Sequence, residues 1–447
     1  MYRILKIASS KLPFFIELYS LLLRLRLRRR LSFSKSRLKW NNSTNNISVI
    51  NTHSQGGGAA KVALDIIRGS KYTSNMHFFV HENSRSSENI HVIEKMKSTR
   101  LIRWFQEMER IGGWLDFSFI SPLNLLKNNH FQTSRIIHLH NLHGYYFSYA
   151  ILQSLAKKKK VIWTLHDEHL ITGHCSCTLS CELWKSGCGN CPKLETYPSV
   201  KIDNTKKMLA YKTRLLKKID PTIVCPSKWL AERVKKAYPF LKTVKMIPNG
   251  VDTELFKPMD KNELRSKLGL PKDTLIILFA AELATKNPFK GGEIVESLIE
   301  KSIFHNCYFI TIGGETNKKS DFHIPFGYIS EQEKMAELYA VSDIMLYPTR
   351  ADNLPLVVLE AMSCGLPVIS SNLGGIAEII ENEKNGFLID HYFKTELFEE
   401  AISNFIALSE SERVEFSSEA RKTILQKFSI EKMIDEYDAL YEDVSLF

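Results

Sequence analysis

The sequence predicts an α/β protein with two Rossmann-like domains, each built of strands that alternate with helices around a parallel sheet. Short apolar runs recur in both halves of the chain and alternate with helical segments, a pattern typical of βαβ units. The length of 447 residues is sufficient for two domains of ordinary size. The apolar and charged fractions, 44% and 24%, are those of a globular protein.

The basic charge is concentrated at the N-terminus. Residues 1–40 contain eleven Lys and Arg and one acidic residue, Glu17, so they carry +10 of the formal net charge of +11. This distribution argues against a nucleic-acid-binding surface on the folded domains. An apolar block at residues 12–23 is too short to span a bilayer, and it precedes the main arginine cluster, which argues against a secretory signal.

We interpret residues 1–45 as an extension that contacts an anionic membrane surface. Its apolar residues would lie at the headgroup boundary, and each cation would contribute about 1 kcal/mol on acidic lipid. A disordered start and an organelle transit peptide are the alternatives. The interpretation predicts a cytoplasmic protein that is peripheral on the inner face of the cytoplasmic membrane.

A Gly-rich turn follows the first predicted strand, residues 46–51. Residues 54–60 read Ser-Gln-Gly-Gly-Gly-Ala-Ala and lead into a helix that extends to about Arg68. Backbone N–H groups and a helix N-terminus in this layout can receive a phosphate. A tight turn without a ligand is an equal interpretation, because the spacing is not G-x-G-x-x-G.

Three histidines lie at predicted strand ends. His140 ends the strand at 136–140, His143 follows that strand, and His166 follows the strand at 161–165. Ligands of open α/β sheets bind beyond the carboxyl ends of strands, so all three are candidates for a functional site. For His140 and His143 the sequence supports a structural and a functional role equally.

A cluster of cysteines follows His166. Five of the eight cysteines lie between Cys175 and Cys191, and one Cys-x-x-Cys pair with two further thiolates can close a tetrahedral zinc site. We predict a zinc ion on Cys175, Cys181, Cys188 and Cys191, structural because four thiolates leave no open position. Disulfides and buried thiols are the alternatives.

In the C-terminal half, residues 346–371 predict a strand, a loop, a short helix and a strand. Pro355 suits the first position of the helix, and Gly365 is typical of its end. This arrangement puts Asp352 in the loop and Glu360 inside the helix, eight positions further on.

This stretch resembles the sugar-nucleotide-binding signature of the retaining GT-B glycosyltransferases of family 4. The matching residues are Asp352-Asn353-Leu354-Pro355, Glu360-Ala361-Met362 and Cys364-Gly365-Leu366-Pro367-Val368. The resemblance implies two facing Rossmann-like domains with a deep cleft between them. It also implies that Glu360 holds the ribose hydroxyls and that the loop acid, usually Glu and here Asp352, faces the donor sugar.

The cysteine segment resembles a subgroup of the same transferases that acts in polysaccharide synthesis of the colanic-acid type. The shared residues are Trp163–Asp167, Gly173–Cys175, Cys181–Cys191 and Tyr197-Pro198. The resemblance implies that His166 lies beside the transferred sugar. Cys177 stands where the subgroup more often has an aromatic residue.

The family also carries an Arg and a Lys-Gly in a loop that neutralises the donor diphosphate. Lys290 fits the second of these; the nearest cation to the first is Lys286, which cannot make a bidentate guanidinium contact. The resemblance implies further donor contacts from two glycine turns, a base-contacting segment and the signature loop. These residues are Gly57, Gly58, Tyr328, Asn353, Leu354, Gly374 and Gly375.

The resemblance covers most of residues 46–441 and divides the chain into four segments. They are the extension 1–45, an acceptor domain at 46–255 with a Cys-rich insertion at 173–198, a donor-binding domain at 256–425, and a C-terminal helix at 426–447 that can return to the first domain.

The resemblance implies a retaining hexosyltransferase of surface polysaccharide or lipopolysaccharide synthesis. It would move a sugar from a UDP- or GDP-linked donor to a lipid-linked or saccharide acceptor, with His166, Lys290 and Asp352 as catalytic residues and no catalytic metal. A sugar-nucleotide-binding subunit without catalysis, and a GT-B epimerase or phosphorylase, are the alternatives.

Overall fold

The computed structural model describes residues 46–82, 89–93, 107, 111–116, 125–144, 146–301, 307–314, 320–391 and 393–446. The predicted membrane-contacting extension, residues 1–45, lies outside this range. The chain divides into two compact units. The first unit comprises the chain up to Pro226 with Leu230–Ile247 and Glu436–Phe447, and the second comprises Ser227–Trp229 with Pro248–Asp435.

The first unit is built on a parallel sheet with the strand order β3-β2-β1-β4-β5-β6-β7. The strands are β1 (Ile47–His53), β2 (Met76–Glu82), β3 (Ile90–Val92), β4 (Ile136–Leu139), β5 (Lys160–Thr164), β6 (Thr222–Cys225) and β7 (Val244–Met246). The helices are α1 (Gly58–Gly69), α2 (Asn129–Thr133), α3 (Tyr149–Leu155), α4 (Thr205–Ile219) and α5 (Lys228–Ala237).

The second unit contains a parallel sheet with the order β10-β9-β8-β11-β12-β13. Its strands are β8 (Leu275–Ala280), β9 (Cys307–Ile312), β10 (His323–Pro325), β11 (Ile344–Tyr347), β12 (Val368–Ser371) and β13 (Gly386–Ile389). Its helices are α6 (Lys261–Leu268), α7 (Gly292–Glu300), α8 (Gln332–Val341), α9 (Leu356–Ser363), α10 (Thr395–Ala407) and α11 (Glu410–Lys427). Helix α12 (Ile430–Leu446) follows and ends in the first unit.

The central strands of both sheets are buried on both faces, which is why they read as continuous apolar runs in the sequence. In β1, Val49 and Ile50 are fully buried, and in β11 every residue from Ile344 to Tyr347 is buried. The predicted α/β class with two Rossmann-like units is therefore confirmed.

The C-terminal part of α12 packs on the first unit through hydrogen bonds between buried side chains. The Tyr441 hydroxyl lies 2.8 Å from Nδ1 of His138, and the Tyr437 hydroxyl lies 2.9 Å from Oγ1 of Thr164. The compact units divide at 247/248 and 435/436, whereas the sequence analysis placed the domain boundaries at 255/256 and 425/426.

Helix α4 is basic, but one of its lysines is buried. The helix begins at Thr205, where the Asp203 carboxylate accepts the Thr205 N–H at 3.0 Å. Lys212 is 1% exposed. Its ammonium donates to the carbonyls of His169 and Thr172, at 2.6 and 3.1 Å.

None of the helices among the described residues combines the length and the apolar character needed to cross a membrane.

Candidate functional site

Backbone hydrogen bonds define where the signature helix of the second unit, α9, ends. Helix α9 ends in a Schellman motif, in which the N–H groups of Gly365 and Leu366 each donate at 3.0 Å to the carbonyls of Met362 and Ala361. The helix therefore stops where the sequence predicts, and the loop of Asp352 lies between β11 and a helix of defined length.

A hydrogen-bonded group of three side chains lies at the carboxyl end of β11. The Tyr347 hydroxyl donates to Oδ2 of Asp352 at 2.5 Å, and the Lys290 ammonium lies 2.9 Å from the Tyr347 oxygen and pairs with the same carboxylate oxygen. Burial, followed by the charge of Asp352, raises the pKa of Tyr347 well above its ordinary value, so the phenol stays a donor. The structure thus brings the predicted residues Lys290 and Asp352 together.

Two glycines allow the Lys290 loop to approach β11. Gly291 has a φ of +65°, and a Cβ on it would lie 2.0 Å from the carbonyl oxygen of Pro348. A Cβ on Gly292 would lie 1.9 Å from the carbonyl oxygen of Thr285. Any side chain at these positions would push Lys290 away from Asp352, so the Lys-Gly-Gly sequence is required by packing.

Gly374 and Gly375 lie against the signature loop. A Cβ on Gly374 would lie 2.0 Å from the Asp352 carbonyl oxygen, and the Gly375 N–H already donates to the Asn353 carbonyl at 2.7 Å. A three-residue 3-10 helix, Ile376–Glu378, follows these glycines. Their evident task in this structure is to support the loop that holds Asp352.

Two residues that the sequence analysis did not select also hold this loop. The Ser227 hydroxyl lies 2.5 Å from Oδ1 of Asn353, and the Asn249 side-chain amide donates to the carbonyl of Leu354 at 2.8 Å. Asn249 belongs to a Pro-Asn-Gly segment whose turn character was visible in the sequence, but nothing there indicated its contact with Leu354.

Glu360 and the remaining donor candidates differ in exposure. Glu360 is 8% exposed on α9, and its Oε2 accepts the hydroxyl of Tyr339 at 3.3 Å. Lys286 is exposed in a 3-10 helix at Ala284–Lys286, and the ring of Tyr328 is 69% exposed. These last two residues lie outside the hydrogen-bonded group of Lys290, Tyr347 and Asp352.

In the first unit, the three predicted histidines come together at the carboxyl ends of neighbouring strands β4 and β5. Nδ1 of His140 lies 2.8 Å from Nε2 of His166, and Nε2 of His143 lies 2.7 Å from Oδ2 of Asp167. All four residues line one small cavity. Among the residues that the structure describes, Nε2 of His140 and Nδ1 of His143 are buried without a hydrogen-bond partner, which is typical of functional sites.

The four side chains carry different charges. Burial is the main cause that lowers the pKa of His166 to about 4, with Asp167 opposing the shift, and burial lowers the pKa of His140 well below its ordinary value. Burial also acts against the charge on His143, but the charge and hydrogen bond of Asp167 outweigh it and raise the pKa of His143. A neutral His166 therefore lies near the hydrogen-bonded pair of His143 and Asp167, in which Asp167 favours the charged form of His143.

The Gly-rich turn after β1 lies at the same sheet edge, because β1 pairs in parallel with β4. Gly56 and Gly57 have φ values of +80° and +75°, and a Cβ on either would meet nothing within 4 Å. Gly58 begins α1 directly after them. The open space before a helix N-terminus is compatible with the ligand contact predicted for Gly57 and Gly58.

The four predicted zinc ligands of the cysteine segment do not converge in this structure. Each of the segment's five cysteines is a partly buried thiol that forms no disulfide, and burial raises the pKa of Cys175 to about 12. Sγ of Cys191 lies 3.4 Å from Nε2 of His174. Among the described residues, one group of at least three His, Cys, Asp or Glu has ligand atoms that all lie within 4.8 Å of one another. This group consists of histidines and does not include the four predicted cysteines. The geometry gives no support to the predicted structural zinc.

The sequence also has known relatives. One relative is WcaC of Escherichia coli strain K12, which is named as a glycosyl transferase of colanic acid biosynthesis. It is 27% identical over 432 residues, which cover 89% of this chain and 100% of WcaC. The Escherichia coli UDP-Gal:alpha-D-GlcNAc-diphosphoundecaprenol alpha-1,3-galactosyltransferase is 28% identical over 224 residues, covering 47% of this chain and 57% of that enzyme.

A solved structure and two family models extend these similarities. Anabaena HepE in complex with UDP-glucose superposes with a TM-score of 0.62 at 16% identity, covering 90% of this chain and 100% of that chain, and shows a common fold. The family model described as Glycosyltransferase Family 4 matches residues 56–255, and the model described as Glycosyl transferases group 1 matches residues 260–423. Between them the two models account for most of both units. The chain therefore belongs to the glycosyltransferases that combine a family 4 domain with a group 1 domain.

Proposed function

We propose that this protein transfers a sugar from a UDP- or GDP-linked donor to a hydroxyl of a lipid-linked or saccharide acceptor, with retention of the anomeric configuration. The observation that carries the proposal is the group formed by Lys290, Tyr347 and Asp352 at the carboxyl end of β11, followed along the chain by the helix of Glu360. A sugar nucleotide requires a cation for its diphosphate, a carboxylate that orients its sugar and a second carboxylate for its ribose hydroxyls.

Each of these side chains has a role that follows from its chemistry. The Glu360 carboxylate accepts hydrogen bonds from the two ribose hydroxyls, as acidic residues of nucleotide-binding α/β folds do. The Lys290 ammonium stabilises the negative charge that develops on the departing diphosphate, which is the main catalytic contribution expected of a preorganised cation. The Asp352 carboxylate orients hydroxyls of the donor sugar.

The remaining predicted contacts are proposed for each unit by itself. In the second unit, Lys286 supplies a second cation for the diphosphate and the exposed ring of Tyr328 meets the base. In the first unit, the backbone N–H groups of Gly57 and Gly58 can receive a phosphate. His166 is neutral because of its burial, so it can hydrogen-bond a sugar hydroxyl without adding charge to the site. This mechanism needs neither a carboxylate pair flanking the sugar nor a catalytic metal.

The relatives and the basic extension support the proposed acceptor and the proposed cellular location. WcaC is named for colanic acid biosynthesis, and the galactosyltransferase is named for an acceptor on diphosphoundecaprenol. A lipid-linked acceptor lies at a membrane surface, and the +10 charge of residues 1–40 favours anionic lipid. We therefore place the protein in surface polysaccharide or lipopolysaccharide synthesis, peripheral on the inner face of the cytoplasmic membrane.

A sugar-nucleotide-binding subunit without catalysis is the second candidate. The observation that favours it is the ion pair between Lys290 and Asp352, since a lysine already paired with a carboxylate has less charge to offer a diphosphate. Turnover separates the two candidates, because both would bind the nucleotide and only the transferase would release product.

The test is an assay of the full-length protein with UDP- and GDP-sugars and a saccharide diphosphate-lipid acceptor. Proton NMR of the product reports the anomeric configuration. We expect a product with the donor's configuration from one of the donors, and a loss of UDP or GDP binding by calorimetry in Glu360→Ala. The exposed Glu333→Ala on α8 is the matched control and should bind as the wild type does.

Binding without turnover on any acceptor would favour the non-catalytic subunit. Product formed without an acceptor would instead indicate an epimerase, and release of a sugar phosphate from a glycoside and inorganic phosphate would indicate a phosphorylase. An inverted product would contradict retention while leaving the glycosyltransferase assignment intact.

A further inference from the structure

Three histidines from separate segments of the first unit converge at a point that the proposed reaction does not use. They are His77 on β2, His91 on β3 and His130 on α2, and one ring nitrogen from each lies within 4.8 Å of those from the other two. We refer to them as the three-histidine group.

Sheet register and an aromatic contact bring these histidines together. In the parallel pair of β2 and β3, Phe79 is opposite His91, and His77 lies two residues before Phe79 and therefore on the same face. Phe131 of α2 packs edge-to-face on Phe79, with ring centroids 5.6 Å apart and an interplanar angle of 83°. This contact positions the neighbouring His130 beside the two strand histidines.

The distances suit a metal ion. Nδ1 of His77 lies 3.2 Å from Nε2 of His91. Two imidazole nitrogens that bind one zinc ion at about 2.0–2.1 Å in tetrahedral geometry are separated by roughly 3.3 Å. The group therefore has two nitrogens at ligand spacing and a third within 4.8 Å of both.

The exposure of the three rings also suits a metal ion. His77 is buried, His91 is half-buried and His130 is exposed. An ion can enter from the side of His130, and a fourth position stays open to water.

The location separates this group from the candidate functional site. His77 is the second residue of β2, and His130 belongs to the helix that precedes β4, so the group lies toward the amino ends of the strands. The histidines of the functional site follow the carboxyl ends of β4 and β5. A metal ion here would join the edge strand β3 and the helix α2 to β2, and it would take no part in the transfer.

We propose that the three-histidine group binds a first-row divalent transition-metal ion, of the class of Zn²⁺, Ni²⁺ or Co²⁺, and that this ion clamps the edge of the first sheet. Imidazole suits these ions, whereas Mg²⁺ and Ca²⁺ prefer oxygen ligands. The alternative is a metal-free stack, because the rings of His77 and His130 have centroids 3.8 Å apart and planes 29° apart.

Zinc chloride is the probe. The full-length protein is stripped of metal and titrated calorimetrically as wild type, His91→Gln, His130→Gln and His391→Gln. His130 is exposed, so its replacement should leave the fold intact, and the exposed His391 is the matched control outside the group. X-ray absorption of the zinc-loaded proteins separates nitrogen ligands at about 2.0–2.1 Å from sulfur ligands at about 2.3 Å, so zinc bound by the cysteines is counted apart.

We expect the wild type and His391→Gln to bind one zinc ion with nitrogen ligands. His91→Gln and His130→Gln should bind it at least about 10- to 100-fold more weakly, the loss that even outer-shell changes produce. In these two variants the zinc-dependent rise in the unfolding temperature should also disappear. Equal zinc affinity and stoichiometry in all four proteins, or sulfur as the sole ligand type, would overturn the proposal and leave the metal-free stack.

Discussion

The Tyr347 hydroxyl donates a 2.5 Å hydrogen bond to Oδ2 of Asp352, and the same hydroxyl oxygen lies 2.9 Å from the Lys290 ammonium. A buried tyrosine at the end of a core strand thus contacts two of the charged groups of the proposed donor site. Tyr347 touches no reacting atom in the proposed mechanism, so its expected role is to position Lys290 and Asp352.

Replacing Tyr347 with Phe should weaken donor binding more than it slows the chemical step. The change removes a hydrogen bond to a charged group, which contributes about 1.5–3 kcal/mol, so we expect KM for the donor to rise roughly 10- to 100-fold. Because Lys290 and Asp352 remain, kcat should fall less than KM rises. Steady-state kinetics with varied donor concentration measures both values.

The matched control for this change is Tyr308→Phe, on β9, whose ring packs edge-to-face on Phe322. It should keep the wild-type KM. Wild-type kinetics in Tyr347→Phe would show that Lys290 and Asp352 hold their positions without the hydroxyl.

Replacing Asp352 with Asn should separate nucleotide binding from turnover. The ion pair with Lys290 is lost, so the ammonium becomes available to the diphosphate, and a gain of about 1 kcal/mol would tighten UDP or GDP binding about fivefold. Turnover should fall, because the sugar loses its orienting carboxylate. Calorimetry with the free nucleotide and an assay with the full donor give the two readings.

Lys290→Met tests the other half of that pair and should weaken nucleotide binding, while the exposed Lys272→Met should leave it unchanged. If Asp352→Asn binds the nucleotide more weakly than the wild type does, then Asp352 supports Lys290 rather than competing for it.

The stability of the first unit should fall as the pH drops below about 6.5. His138 is fully buried between Tyr441 and Thr164, and burial, followed by the charge of His166, lowers its pKa from 6.5 to about 3. Between these two values the unfolded chain binds a proton that the folded chain does not. The free energy of unfolding therefore decreases by about 1.4 kcal/mol per pH unit from this residue.

Urea unfolding at pH 7.5 and pH 5.5 measures this loss. His138→Gln keeps a donor and an acceptor at the same place without a titrating group, so it should lose roughly 1.4 kcal/mol less than the wild type on the change to pH 5.5. An equal loss in both proteins would assign the pH dependence to other groups.

Lys212→Met should destabilise the first unit although it removes a buried charge. The ammonium satisfies two buried carbonyls, those of His169 and Thr172, which methionine leaves without a donor. Unsatisfied buried groups of this kind cost about 1–3 kcal/mol. Chemical unfolding of Lys212→Met beside Lys218→Met, which changes an exposed lysine of the same helix, isolates the effect; equal stability of the two variants would contradict it.

The sequence was informative where a residue's role depends on its immediate neighbours along the chain. The buried strands, the helix end at Gly365 and the placing of Asp352 in a loop before Glu360 all follow from local patterns, and the structure has them. The fold class followed in turn from the alternation of these elements.

Roles that depend on contacts between distant segments could not be predicted. Tyr347 belongs to an apolar run, so its hydroxyl looked like part of the core, and Lys212 belongs to a basic helix, so its ammonium looked solvated. The spacing of the cysteines fixes how far apart the thiols of Cys188 and Cys191 are along the chain, but not where the side chains of Cys175 and Cys181 lie relative to them. In each case the deciding partner is remote in sequence.

The placement of Glu436–Phe447 in the first unit has a consequence for biosynthesis. A ribosome releases β1 early and Glu436–Phe447 only after the whole second unit. The second unit can therefore complete its fold while His138 and Thr164 still lack Tyr441 and Tyr437. The first unit is therefore completed only after the second unit. A nascent chain that stalls before α12 has a first unit in which His138 and Thr164 lack these hydrogen-bond partners.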